Sequence, residues 1–379
     1  MMKIQRVSVW AFSRKLDGKA WNPAFRWTER RAPLIVLELD NGVRGIGEAW
    51  SGYRNVDQVL KILAEGVAPA LVGMRVGAPN EFGEALSGVG GNAATREDAA
   101  AWSGADIALW DAYGRATGRP VWELLGGIQS KAPIYASGGL YRDDYTLDDL
   151  RKEAQAYRVA GFNGMKMKVC GVSLADDIQR VNAARQGLGG DAWLWVDAVN
   201  QLSVQSARTF WTAMEPFDVR AMQSPLPPTD LDGLCDLNLH SFPVIASEAE
   251  YCHETYKRLI SQRAVTYLQY CIPLVGGFTG ALKLDELAYS AQIRSTPQCF
   301  STVVAQAATL HFAAARPNVL TAEFHCFHDH LKNLYQGDAG RILDGYAEAG
   351  GGGGLNVAIP ELGKQLDGSV ISCVVDVCR

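Results

Sequence analysis

The chain lacks the features that assign a protein to a class at a glance. No apolar run approaches the roughly 20 residues a bilayer-spanning helix needs, so membrane insertion is not expected. The eight cysteines fall without CxxC pairs or zinc-finger spacing, which argues against a structural zinc site or a disulfide scaffold and predicts reduced thiols. No long basic run occurs and the formal net charge is only −5, so neither nucleic acid nor an anionic membrane surface is an expected partner. Met1 to Trp10 carries no apolar core followed by a small-residue cleavage site, and the expectation is a cytoplasmic protein. What remains is ordinary for a soluble globular chain: 379 residues, 48% apolar and 20% charged, enough for a sizeable core and two domains, with a small molecule as the default ligand.

The first part of the chain reads as an α+β unit. Ile4 to Phe12 alternates as a strand and leads into an aromatic-rich loop. Leu34 to Asp40, the Asn41-Gly42 turn and Gly45 to Ala49 form a hairpin. Helical patterns run from Val56 to Leu71, Asn80 to Leu86 and Arg96 to Thr117, the last stopped by Gly118-Arg119-Pro120. The glycines of Gly42-Val43-Arg44-Gly45-Ile46-Gly47 sit inside the hairpin, not between a strand and a helix, which disqualifies them as a nucleotide-binding loop.

From about Ile134 the pattern alternates between short apolar strands and helices. Strand-like segments end near Tyr135, Lys168, Asp197, Gln223, Glu248, Cys271, Thr296 and Glu323, eight in all at intervals of about 23 to 33 residues. That period predicts a (β/α)8-type barrel, with helices over Leu150 to Ala160, Ser173 to Gly187, Ser203 to Met214 and Gly280 to Gln292. The five glycines Gly350 to Gly354 read as a connector, after which the tail is expected to return to the first unit.

The segment Gly164-Met165-Lys166-Met167-Lys168-Val169 is a short strand with two lysines on one face and apolar side chains on the other. On a half-exposed strand these lysines would simply be solvated. Inside a barrel they need anions or a polar cavity, and a desolvated lysine becomes a proton-transfer base. The residues at the neighbouring strand ends supply the anions: Asp197, Glu248 and Glu323, with the amide of Gln223 between them. Chemistry in such barrels sits at the C-terminal strand ends, and carboxylates with an amide oxygen form a ligand set suited to Mg2+. Taken singly, Asp197 can equally cap its loop and Glu248 can be a surface acid.

Across essentially its whole length the sequence resembles the enolase superfamily, in its mandelate racemase-like branch. The resemblance rests on Ser103-Gly104-Ala105-Asp106-Ile107-Ala108-Leu109-Trp110-Asp111 with Leu124-Leu125-Gly126-Gly127, on Lys166-Met167-Lys168, Val196-Asp197-Ala198 and Gly276-Gly277-Phe278-Thr279, and on Ala307 to Asn318. It implies an α/β fold, a (β/α)7β TIM-like barrel with an N-terminal α+β capping domain: cap 1–125, barrel 126–349, and a C-terminal segment 350–379 returning to the cap. It implies abstraction of the proton α to a carboxylate through an enediolate. Lys168 is then the base, with Lys166 tuning it and Glu323 touching the substrate. Asp197, Gln223 and Glu248 would hold Mg2+, and the partners would be a small carboxylate, an acid sugar, and further copies of the chain in a homo-oligomer.

The departures from the pattern are informative. Gln223-Ser224-Pro225 stands where the family has Glu-Glu-Pro, which removes a charge and predicts weak or absent metal binding. Val199 replaces an Asn, and Cys271 and Gln298 stand where the branch has an Asp-His dyad, so two-base racemisation is not expected. One lysine acting on a single face still permits elimination, with His325, His328 or His330 available to assist the leaving group. Candidate substrate contacts are Arg26, Trp21, Tyr141, Gln298, Cys271 and His325, with Arg54, Phe25, Trp27 and Trp50 in the cap loops. The reading is a lyase on a hydroxy acid, an acid-sugar dehydratase or cycloisomerase. The alternative is a degenerate, metal-poor homologue that binds a carboxylate without turnover.

Overall fold

The computed structural model describes residues 2–52, 55–91, 93–327, 329–363 and 368–378, and of Asp329 the backbone alone. Arg54 and His328 lie outside the described residues.

The N-terminal unit is built on the long strand Met2–Lys15, paired antiparallel with Glu29–Leu39, which turns back through Asn41-Gly42 into Arg44–Glu48. The helix Arg96–Thr117 lies across this hairpin. Its start is fixed by a capping box in which Thr95 and Asp98 each answer the other's backbone N–H, and its end by Gly118 in the left-handed region. The hairpin glycines now have a physical role: a Cβ on Gly45 would fall 2.4 Å from the Ala112 nitrogen, and one on Gly47 would fall 2.0 Å from the Gly104 oxygen. Only glycine lets helix and sheet approach this closely. The buried Asp111 adds a polar tie, accepting from the Ile46 N–H at 2.8 Å, the Leu355 N–H at 2.7 Å and Arg115 Nε at 2.7 Å. The strand Ser369–Cys378 completes this sheet by pairing antiparallel with Met2–Lys15.

The barrel strands are Lys131–Gly138, Gly164–Lys168, Trp193–Asp197, Val219–Gln223, Val244–Ala246, Tyr267–Leu268, Arg294–Ser295 and Ala322–His325. Neighbours pair in parallel from the first through the seventh, and the eighth pairs back onto the first. A single bridge, Ser295 to Val319, joins the seventh to the approach of the eighth. Seven helices connect the eight strands, so the fold is a (β/α)7β barrel with an N-terminal cap. Two of those helices, Leu231–His240 and His253–Ser261, were not expected from the sequence. The aromatic-rich segment is not one open loop. Its short strands Ala20–Asn22 and Phe25–Arg26 form a small sheet with Tyr141–Arg142 of the barrel. No described helix is long and apolar enough to cross a membrane.

Period-two alternation sorts the strand residues. Met165 and Met167 point outward into the main core, whereas the inward positions below the site are filled by Tyr135, Trp195, Ala221 and Ile245. Trp195 lies 5.3 Å from Tyr135 and 5.7 Å from Tyr267 between ring centroids, an aromatic floor that closes the barrel from below. The next inward layer is polar, and the site sits there.

Cap and barrel are tied by buried acids. Glu48 of the cap accepts from Thr302 Oγ1 at 2.6 Å and from the Ala305 N–H at 3.1 Å, a carboxylate on the N-terminus of the barrel helix Val303–Ala315. Asp106 accepts from the Thr279 N–H at 3.2 Å and from the Thr279 hydroxyl. Burial pushes the Asp106 carboxyl up from 3.8 to about 7. The unfolded residue ionises near its ordinary value, so this carboxyl costs the fold nothing well below pH 4, an increasing amount from there to about pH 7, and a constant amount above. Asp106→Asn carries no such charge. Its unfolding free energy is expected to gain on that of the unmodified protein by on the order of 3 kcal/mol between pH 4 and pH 8, read by urea denaturation.

Candidate active site

Lys166 and Lys168 leave the second barrel strand two residues apart on its inner face and are 1% and 8% exposed. The register aligns Lys168 with Asp197 and Asp197 with Gln223, so three strand ends meet at one level. Asp197 Oδ2 accepts from Lys166 Nζ at 3.2 Å and from Lys168 Nζ, while its Oδ1 takes the Val199 N–H at 3.0 Å. Lys166 Nζ also lies 2.8 Å from Glu323 Oε1. The interior placement of the two lysines is thus matched by two carboxylates.

The electrostatics follow. Burial alone would depress Lys166, but Glu323 and Asp197 outweigh it and hold the ammonium well above its ordinary value. Burial disfavours the Asp197 carboxylate, yet Lys168 and Lys166 hold it ionised, with its pKa below the usual range. Glu248 is pushed up to about 7, first by burial and then by the charge of Asp197, against the pull of Lys168. Gln223 Nε2 donates to Glu248 Oε2 at 2.5 Å, and Gln223 Oε1 accepts from Gln269 Nε2 at 3.3 Å. Glu323 is fixed further by the Cys299 N–H at 3.1 Å on Oε2.

Two lysines face three carboxyl groups in a buried space. Beside it, the Gln269 side-chain oxygen is buried without a hydrogen-bond partner. Hard oxygen donors and an orphaned carbonyl fit a divalent cation such as Mg2+ in chemistry. They fit less tightly than three carboxylates would, because the middle donor is an amide whose oxygen is turned toward Gln269. Among the described residues no three His, Cys, Asp or Glu side chains meet at metal-ligand spacing.

Lys166, Lys168, Glu248, Gln298, Glu323 and His325 share a cavity closed above by Asn22, Trp27, Leu140 and Phe300. Its free volume is about 30 Å3, room for a water. His325 is buried and held neutral, its imidazole well below the ordinary value through burial and then Lys166 and Lys168. A larger, mostly apolar groove of about 630 Å3 lies on the outside of the barrel beside Tyr157, Phe162 and Phe324, away from the lysines.

Other expected contacts fall outside the cavity. Arg26 is exposed and donates from both guanidinium ends to Asp143, at 2.5 and 3.1 Å, and to the Gly18 oxygen at 2.9 Å. Trp21 stacks on Tyr141 with centroids 4.5 Å apart and donates to Asp143 at 3.1 Å. The Tyr141 hydroxyl donates to Asp177 at 2.6 Å. These three latch the cap hairpin to the barrel. Cys271 is bridged through its backbone to Gln298, and its thiol is pushed well above the ordinary value by burial, then by Cys299 and Glu323. His330 packs on Phe12 and lies 3.2 Å from Arg14. Asn22 and Phe300 were missed by the sequence reading. Phe300 stands two residues beyond Gln298, the one local signal that could have flagged it.

The comparisons with known proteins agree with this fold. Residues 149–362 match the enolase C-terminal domain-like family, and residues 21–126 match the mandelate racemase / muconate lactonizing enzyme N-terminal domain. The D-galactarolactone cycloisomerase of Agrobacterium fabrum is 29% identical over 323 residues, 83% of each chain. The L-talarate/galactarate dehydratase of Salmonella typhimurium is 30% identical over 303 residues, 76% of this chain and 73% of that one. The crystal structure of the 3,6-anhydro-D-galactonate cycloisomerase of Zobellia galactanivorans is similar at a TM-score of 0.80 and 26% identity, covering 94% of this chain and 97% of that one. With a family match over more than half its length and the whole fold shared, this chain belongs to the enolase superfamily, in its mandelate racemase/muconate lactonizing branch.

Proposed function

We propose that the protein is a lyase that removes the proton α to the carboxylate of a hydroxy acid, an acid-sugar dehydratase or cycloisomerase in type. The observation that carries this reading is the buried pair Lys166 and Lys168, gathered with Asp197, Glu323 and Glu248 at the mouth of the barrel. The relatives' dehydratase and cycloisomerase activities support the reaction class.

Asp197, Glu248 and the amide oxygen of Gln223 are the residues that would hold Mg2+. When bound, the cation stabilises negative charge developing on the substrate carboxylate. Lys166, kept charged by Glu323, faces the same carboxylate and adds a second positive group. Lys168 is the group placed to take the α-proton. Where the resemblance implies a second base, this chain has a buried thiol and an amide, Cys271 and Gln298, neither of which exchanges a proton at neutral pH. Inversion therefore has no second base. His325, held neutral, is a poor acid for a leaving hydroxyl. The ammonium formed on Lys168 is the group left to return the proton: the Cα–H bond breaks to Lys168, the Cβ–O bond breaks, and the hydroxyl departs as water with that proton.

Incubation in D2O with MgCl2 and a panel of sugar acids tests the reading by NMR. Deuterium is expected at Cα, or a dehydrated 2-keto acid is expected to accumulate. A panel that shows neither, with no Mg2+ bound by the protein, favours a carboxylate-binding homologue without turnover.

A further inference from the structure

We infer that Gln269 is a ligand of the divalent cation, a fourth oxygen donor from the sixth barrel strand beside Asp197, Gln223 and Glu248; the inference rests on the cation of the reading above. The period of the strands puts it at their level. Asp197 stands two residues beyond Trp195 and Gln223 two beyond Ala221, so each is the first inward side chain above the floor of the barrel. Gln269 stands in the same relation to Tyr267, which packs against that floor. Its backbone is fixed against the end of the fifth strand: the Gln269 N–H donates to the Ala246 oxygen at 2.7 Å, and its carbonyl accepts from the Ser247 N–H at 2.9 Å, one residue before Glu248. The whole residue is 0% exposed.

The hydrogen bonds in this layer run in one direction. Gln223 Nε2 donates to Glu248 Oε2 at 2.5 Å, Gln269 Nε2 donates to Gln223 Oε1 at 3.3 Å, and Gln269 Oε1, at the end of the relay, accepts from no described residue. The carboxylate sets that order. Glu248 takes the N–H side of the Gln223 amide, which turns the Gln223 oxygen toward Gln269 and leaves the Gln269 oxygen over. Reversing the Gln269 amide sets its oxygen against that of Gln223, so no turn of that side chain satisfies both. A buried acceptor without a donor is destabilising, and an amide carbonyl is an oxygen that hard divalent cations take as a ligand. A cation held by Asp197 and Glu248 supplies the positive charge that this oxygen is without. Two carboxylates and two amides then do by number of donors what three carboxylates do by charge.

Calorimetric titration of the full chain with MgCl2, and in parallel with MnCl2, tests this without turnover. Gln269→Met keeps the length and bulk of the side chain and removes both its oxygen and its N–H. Both ions are expected to bind the Met variant at least tenfold more weakly. If Gln269 served only as a donor to Gln223, its loss would free the Gln223 oxygen, and affinity would hold or rise. That outcome in a folded variant overturns the inference and leaves the lyase reading standing. Gln269→Glu adds a charge at the same donor and is expected to tighten both ions by tenfold or more; an unchanged affinity there overturns the inference too. The thermal midpoint in EDTA reports whether each variant is folded, and the Glu variant decides where the Met variant does not fold. An unmodified protein that binds neither ion and exchanges no α-proton in the sugar-acid panel overturns this inference and the lyase reading together.

Discussion

Replacing Lys168 by alanine is expected to reduce exchange of the substrate α-proton with solvent deuterium by about 10^3-fold or more, with the fold retained. In the proposed mechanism Lys168 takes the proton and returns it on the same face. Cys271 and Gln298 do not substitute for it, and His325 stays neutral behind the lysines. Asp197 keeps partners in the variant, because Lys166 still lies 3.2 Å from Oδ2 and the Val199 N–H still donates to Oδ1. The thermal midpoint should therefore move little, which separates a lost base from a lost fold. Lys166→Ala is expected to behave differently: Glu323 loses its ion pair, and the substrate loses affinity as well as turnover. Exchange persisting in Lys168→Ala would falsify the assignment of the base.

The site was legible in the sequence to the extent that local pattern determines it. Alternation in Met165-Lys166-Met167-Lys168 put both lysines on one face, and the spacing of strand ends placed Asp197, Gln223, Glu248 and Glu323 at the same level. Each of those inferences needs only the period of a strand and the repeat of a barrel. Arg26 failed as a cavity residue for a reason that no local pattern contains. Its partner Asp143 lies 117 residues away on the other domain, and the choice between substrate and latch is made when cap and barrel meet. Trp21 and Tyr141 share that fate. The helices Leu231–His240 and His253–Ser261 escaped notice because they are short, and the first carries Gly233 and Asn238 in its interior. Phe300 belongs to an irregular stretch after the seventh strand, where neither period applies.

Changing Gln223 to glutamate is expected to tighten Mg2+ binding by about 10- to 100-fold in calorimetric titration. In the present arrangement the amide is already engaged: its nitrogen donates to Glu248 at 2.5 Å and its oxygen accepts from the Gln269 amide nitrogen at 3.3 Å. A cation must take the oxygen from Gln269 and give up the amide's donation to Glu248, so part of the binding free energy goes into breaking a pairing already made. A carboxylate at position 223 removes that competition and adds a charge. It also sets two acids against each other where Glu248 is already pushed up to about 7 by burial and by Asp197. The variant's thermal midpoint should therefore fall in EDTA and recover as MgCl2 is added, by more than the unmodified protein's midpoint rises under the same addition. The two readouts share one cause, the presence or absence of a donor hydrogen on the residue between Asp197 and Glu248. An unchanged affinity together with an unchanged midpoint would place residue 223 outside the cation's ligand set and leave Asp197 and Glu248 without their third donor.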